Sequence, residues 1–119
     1  MEDLKIRTKR FAIAVIKLTE AIPKSAIGNV ISKQILRSAT SVGANYRSAC
    51  RAKSPADFIS KMGTVEEEAD ETIYWLELLQ EVNLIGEALV KPLISEADEI
   101  LSIVIASIKT ARQRKATQR

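Results

Sequence analysis

Residues 54–82 read SPADFISKMGTVEEEADETIYWLELLQEV, and this stretch decides the fold class. Ser54 can cap a helix N-terminus, Pro55 suits the first helical position where a missing N–H costs nothing, and Asp57 puts negative charge in the first turn. Phe58, Met62, Val65, Ala69, Thr72, Leu76 and Leu79 then recur at spacings of three and four. That period places them on one helix face, whereas a strand repeats every two residues. A helix is therefore predicted over 55–82, about 40 Å long at 1.5 Å per residue. Asn83 and Gly86 mark its end.

Working outward, three prolines and four glycines punctuate the chain, and each segment between them is long enough for a helix. On the N-terminal side, Leu4, Phe11, Val15, Leu18 and Ile22 share a narrow arc, which predicts a helix over 3–22 that Pro23 closes. Ser25 can cap a second helix over 26–51, with Ile27, Ile31, Ile35, Val42 and Ala49 on one face. On the C-terminal side, Leu93, Ala97, Ile100, Leu101, Val104, Ile108 and Ala111 predict a fourth helix over 92–114. A short turn near 87–90 is expected before Pro92, and a frayed basic tail over 115–119. Four long helices with short connections make one all-α domain, 1–119. An antiparallel up-down-up-down four-helix bundle satisfies them best.

Composition narrows the chemistry. The chain has 119 residues, no histidine, one cysteine and 4% aromatic residues, so its core must be aliphatic. Without imidazole there is no Ser-His-Asp triad, no histidine-containing zinc site and no Glu-x-x-His di-iron motif; a lone Cys50 forms no intramolecular disulfide. A non-enzymatic protein without cofactor or metal is expected. The acids Glu66, Glu67, Glu68, Asp70 and Glu71 point around most of a helix circumference, which suits a solvated face better than a metal site. The N-terminal Met-Glu-Asp lacks the pattern of a signal peptide, and the apolar run Ile100–Ile108 is too short to span a bilayer. A reducing cytoplasm is the expected compartment and no membrane partner is expected.

Net charge is +3, but it is segregated. Residues 1–61 carry twelve Lys/Arg against four Asp/Glu; residues 62–99 carry Lys91 against eleven acids; residues 100–119 carry five bases and no acid. Such blocks either pair within the fold or meet an acidic partner.

Two departures from a simple amphipathic pattern stand out. Ile6 and Ile13 on the first helix, and Trp75, Leu78 and Val82 on the third, lie away from the main apolar stripes; Ile94, Ile103 and Ile105 do so on the fourth. Together they predict a second interface, and hence a homo-oligomer. Conversely, Gln34, Ser38 and Asn45 fall inside the apolar arc of the second helix. A hydrogen-bonded polar core that sets helix register is the expected use, in preference to a pocket. Arg37 flanks this face, opposite Glu68 and Glu71, and a cross-helix ion pair is expected.

Three motifs carry a resemblance to a known family: Gln34-Ile-Leu-Arg37-Ser38-Ala39-Thr-Ser41-Val-Gly43-Ala-Asn45, then Ala52-Lys-Ser54-Pro-Ala-Asp57-Phe58, then Glu68-Ala-Asp-Glu71-Thr-Ile-Tyr74-Trp75-Leu76-Glu-Leu78-Leu79. In this order, over nearly the whole chain, they resemble the bacterial four helix bundle protein family. They are similar to the proteins encoded within intervening sequences of large-subunit ribosomal RNA genes, often labelled ribosomal proteins. The resemblance implies an antiparallel four-helix protomer in a ring-shaped homopentamer. It also implies a fold relationship to the accessory proteins of diversity-generating retroelements, which associate with a reverse transcriptase and nucleic acid. Tyr46-Arg47-Ser48-Ala49-Cys50 departs from the family's more common small residue, glutamate and glycine, adding positive charge.

The basic residues are the functional candidates. Lys109, Arg112, Arg114, Lys115 and Arg119 form a C-terminal group; Arg47, Arg51 and Lys53 lie at the end of the second helix. In an up-down-up-down bundle both groups belong to one pole, which a ring would multiply. RNA or DNA backbone contact is then expected, without base readout, because no aromatic interleaves the cations. The competing reading is an oligomeric scaffold or adaptor for a protein partner, with the cations serving helix dipoles and solubility.

Overall fold

The structure, a computed structural model, describes residues 3–117. Its order is α1 (Leu4–Glu20), α2 (Ala26–Ala49), α3 (Pro55–Glu81) and α4 (Glu87–Thr117), with no strand among the described residues. Residues 1, 2, 118 and 119 lie outside that range, so the expectations for Arg119 and the end of the tail fall there.

Each boundary has a local cause. The Asp3 carboxylate accepts from the Lys5 N–H at 2.9 Å and starts α1. After Glu20, the Ala21 and Ile22 N–H groups turn back to Leu18 and Thr19, and Pro23 prevents continuation. Ser25 Oγ accepts from the Gly28 N–H at 3.0 Å to open α2. At α3, Ser54 Oγ accepts from the Asp57 N–H at 3.1 Å, while Asp57 accepts from the Lys53 N–H and from Lys61 Nζ. The Lys53 N–H and, after it, the Lys61 ammonium hold the Asp57 carboxyl below the usual carboxylate range. Asn83, at φ 56°, adopts the left-handed conformation that ends α3.

The turn expected near 87–90 is not found. α4 begins at Glu87 and carries Pro92 inside it. Proline removes one N–H and crowds the carbonyl four residues back, that of Ala88. Ala88 sits in the exposed first turn, where its carbonyl can tilt to water. Val90 is fully buried and a Glu87–Lys91 ion pair spans the same turn, so packing outweighs the lost bond. At the other end α4 continues through Lys115 to Thr117, where a frayed tail was expected.

Helices α1 and α2, α2 and α3, α3 and α4, and α4 and α1 pack side by side. The core is aliphatic: Val15, Ile31, Ile35, Val42, Met62, Val65, Leu76, Leu79, Val90, Ile100 and Val104 are almost wholly buried, with Phe11 beside them. Four of the five residues expected on the α2 stripe, Ile31, Ile35, Val42 and Ala49, are buried, and the stripe differs at its edges. Gly28, Ser38 and Ala39 are buried, whereas Ile27 is 49% exposed and Gln34 only half-buried. Small residues face inward because another helix approaches closely there: a Cβ built on Gly43 would lie 3.2 Å from Thr8 Oγ1 of α1.

Of the three polar residues expected inside, only Ser38 is. Its hydroxyl meets that of Thr72 at 3.0 Å, and Thr72 Oγ1 lies 2.7 Å from the Glu68 carbonyl oxygen. Gln34 turns to the flank and accepts from Arg37, while Asn45 is half-buried and donates to the Ser41 carbonyl within its own helix. A third buried hydroxyl, Thr8, bonds the Leu4 carbonyl at 2.8 Å. Among the described residues every buried side-chain nitrogen and oxygen has a partner.

Candidate nucleic-acid interface

The basic residues do not form one continuous patch. The α2–α3 connection and the C-terminal half of α4 enclose a groove of about 820 Å³, lined by Lys53, Phe58, Ile103, Ala106, Arg114 and Lys115 among others. No residue of α1 lines it. The reason is length: α4 has 31 residues and α1 has 17. At 1.5 Å per residue α4 outruns α1 by about 20 Å. Its last turns are left facing the α2–α3 connection and the helix ends that flank it.

Arg47 and Arg51 go elsewhere. They line a second groove of about 440 Å³, between α1 and α2, together with Lys5, Lys9, Ile6, Ala12, Thr40, Gly43 and Ala44. Lys109 and Arg112 are exposed on α4 and line neither groove. The sequence candidates thus divide: Lys53 with Arg114 and Lys115, and Arg47 with Arg51. Lys5 and Lys9 were not among them. Their signal was the i, i+4 spacing beside a helix that contains no acid from 26 to 51, which becomes visible once α1 and α2 are known neighbours.

No carboxylate lines either groove. Several acids are paired elsewhere. Arg37 bridges Glu68, at 3.2 Å, and Glu71, so the expected ion pair forms with both acids. Glu71 also accepts from Trp75 Nε1 at 3.0 Å. Arg7 forks onto Glu96 through Nε at 2.7 Å and Nη2 at 2.9 Å, and reaches Glu99 at 3.0 Å. The Arg7 hydrogen bonds hold the Glu96 carboxyl below the usual range. Among the described residues no group of three His, Cys, Asp or Glu could hold a metal ion.

Tyr46 lies in the last turn of α2 and Cys50 is the residue that caps the helix. Burial, then the hydrogen bond to Cys50, pushes the Tyr46 hydroxyl up to about 12. It stays neutral at physiological pH and adds no negative charge beside the cations. Cys50 is exposed and lines the larger groove.

Of the expected interface residues, Ile6, Ile13 and Val82 are exposed at 53%, 46% and 44%. Trp75 and Leu78 are not free: both are half-buried against the core, as are Ile94 and Ile103. These four lie outside the main stripes as expected, and each helix, with two neighbours, covers part of them. Ile16, Val30 and Leu89, which the sequence did not single out, are also exposed, as are Tyr74 and Ile27, the latter expected on the core stripe. Among the described residues no helix is long and apolar enough to cross a membrane.

Residues 2–106 match the family model of the 23S rRNA-intervening sequence protein. The chain is also similar to a solved structure from Bacteroides thetaiotaomicron, described as a protein of unknown function from the S23 ribosomal protein family. The two share 39% identity and a TM-score of 0.84, over 90% of this chain and 99% of that one. No protein with a curated description matches.

Proposed function

The chain belongs to the 23S rRNA-intervening sequence protein family, and from that premise we propose a non-enzymatic, oligomeric protein that binds the RNA or DNA backbone through a basic pole. The observation that carries this reading is the pair of grooves with seven Lys and Arg side chains and no carboxylate. Fixed cations unmatched by acids release counterions when phosphates replace them, which is the main source of sequence-independent affinity.

The protomer course is up-down-up-down and antiparallel. The contacts of Thr8 with Gly43, Arg37 with Glu68 and Glu71, and Arg7 with Glu96 and Glu99 support it. Arg47, Arg51, Lys53, Lys109, Arg112, Arg114 and Lys115 then share one pole. Ile13, Ile16, Ile27 and Val30 offer exposed apolar surface on α1 and α2 for contact with further copies. A ring-like homopentamer is the assembly that the family resemblance favours, and a lone cysteine suits a reducing cytoplasm.

An electrophoretic shift with a structured RNA at 50 and 200 mM salt tests the reading. A complex at low salt that weakens steeply at high salt is expected; unchanged mobility at low salt would sink it. Native mass spectrometry gives the subunit count, and a monomer at micromolar concentration would remove the oligomer. The same exposed apolar residues favour a second reading, a scaffold for a protein partner, which stands if RNA is not bound.

A further inference from the structure

We infer that the groove between α1 and α2 is the phosphodiester site of this protein, holding the backbone of a single nucleic-acid strand between Lys5 and Lys9 on one wall and Arg47 and Arg51 on the other. This rests on the nucleic-acid reading above and replaces a diffuse pole with one built site.

Four features carry it. First, none of the four cations makes an ion pair with another described residue, and no carboxylate lines the groove. Second, Lys5 and Lys9 stand four residues apart on α1, a step of about 6 Å along the helix axis, and Arg47 and Arg51 stand at the same sequence spacing across the end of α2. That is comparable with the spacing of successive phosphates on one strand. Third, apart from Ile6 the other lining residues are small, Ala12, Thr40, Gly43 and Ala44. The close approach at Gly43 and Thr8 brings α1 and α2 together beside them. Fourth, Arg47 and Arg51 lie in the last turn of α2 and just beyond it. A cation there is favoured by the helix dipole, which stabilises the arginines in the absence of an acid partner.

The larger groove lacks these features, because its lining is mainly apolar and carries three cations without a facing pair on each side. Neither aromatic ring nor amide side chain lines the α1–α2 groove, so it reads charge and spacing, and RNA and DNA strands bind it equally.

The test uses the full-length protein and fluorescein-labelled 20-nucleotide oligouridylate and oligothymidylate, with anisotropy followed over a KCl series. Wild type should bind both within about twofold of each other. Lys5→Gln with Lys9→Gln, and separately Arg47→Gln with Arg51→Gln, should each weaken binding at least about tenfold at 50 mM salt. Each pair should also flatten the log-log salt slope by about 1.4, two phosphates at about 0.7 each for a single strand. Circular dichroism verifies that the variants stay folded. Lys24→Gln with Lys33→Gln, equal in charge and outside the groove, should retain the wild-type slope.

Three results would overturn the proposal. If the Arg112, Arg114 and Lys115 triple glutamine variant loses binding while the Lys5 and Lys9 pair keeps it, the groove is wrong and the basic-pole reading survives. If wild type binds neither oligonucleotide nor structured RNA, both fail. If poly-L-glutamate competes as well as oligonucleotide at equal charge, the groove belongs to an acidic protein instead.

Discussion

Replacing glycine by alanine at two positions should move stability in opposite directions, although the chemical change is identical. Gly63 lies inside α3, and a Cβ added there meets nothing within 4 Å. Alanine at such a site restricts the unfolded chain and restores helix propensity, a gain of about 0.5–1 kcal/mol. Gly28 is the third residue of α2, and its N–H is the donor that Ser25 Oγ caps. A Cβ there would collide with the Pro23 carbonyl oxygen, lie 2.9 Å from Ser25 Oγ and 3.3 Å from Ile22 Cγ2. The first of these is backbone held by the 21–25 turn, so the cap must yield. Losing it costs about 1 kcal/mol, and the crowding adds to it, for a net loss of about 1–3 kcal/mol. Urea denaturation followed at 222 nm, at one fixed protomer concentration because assembly shifts midpoints, compares the two variants with wild type. Gly63→Ala should raise the midpoint and Gly28→Ala lower it. A Gly28→Ala variant as stable as wild type would refute the close-approach argument, and a destabilised Gly63→Ala would refute the open-space one.

The buried hydroxyl pair makes an asymmetric prediction. Ser38→Ala should cost about 1 kcal/mol, because Thr72 keeps the Glu68 carbonyl at 2.7 Å; Thr72→Val should cost more, because Ser38 is left with only a 3.4 Å contact to the Ile35 carbonyl. A double-mutant cycle should give a coupling of at least about 0.5 kcal/mol, and strict additivity would show that the two hydroxyls do not interact. Acid stability is the third. The Glu96 carboxyl titrates below its unfolded value because Arg7 bonds the ionised form. Its contribution is therefore full above the ordinary glutamate range, and is lost as pH falls through the folded pKa. Denaturation midpoints of wild type and Glu96→Gln should differ at pH 7 and converge as pH falls below about 4.5. A gap that widens on acidification would contradict the assigned sign.

The legibility of the chain follows the range of the forces involved. Helix caps act over three or four residues, so Ser25 and Ser54 were readable, as was the stop at Pro23. Pro92 was misread because its local penalty is only one lost hydrogen bond near an exposed helix start, which the burial of Val90 outweighs. Gln34 and Asn45 were misplaced because a periodicity assigns a face only to within the width of the stripe. Where small residues let a neighbour approach, the inward direction shifts toward them. Trp75 and Leu78, read as off the main stripe, are half-buried because each helix covers two flanks against two neighbours.

Sequence alone determined that the protein is all-α with four helices, an aliphatic core, no imidazole chemistry, and positive charge in its first half and last twenty residues. Those are properties of residue type and short-range order. Only the tertiary structure decided which cations share a groove. Lys5 and Lys9 are some forty residues from Arg47 and Arg51 in the chain. What joins them is the packing of Thr8 on Gly43, a contact that no local propensity encodes.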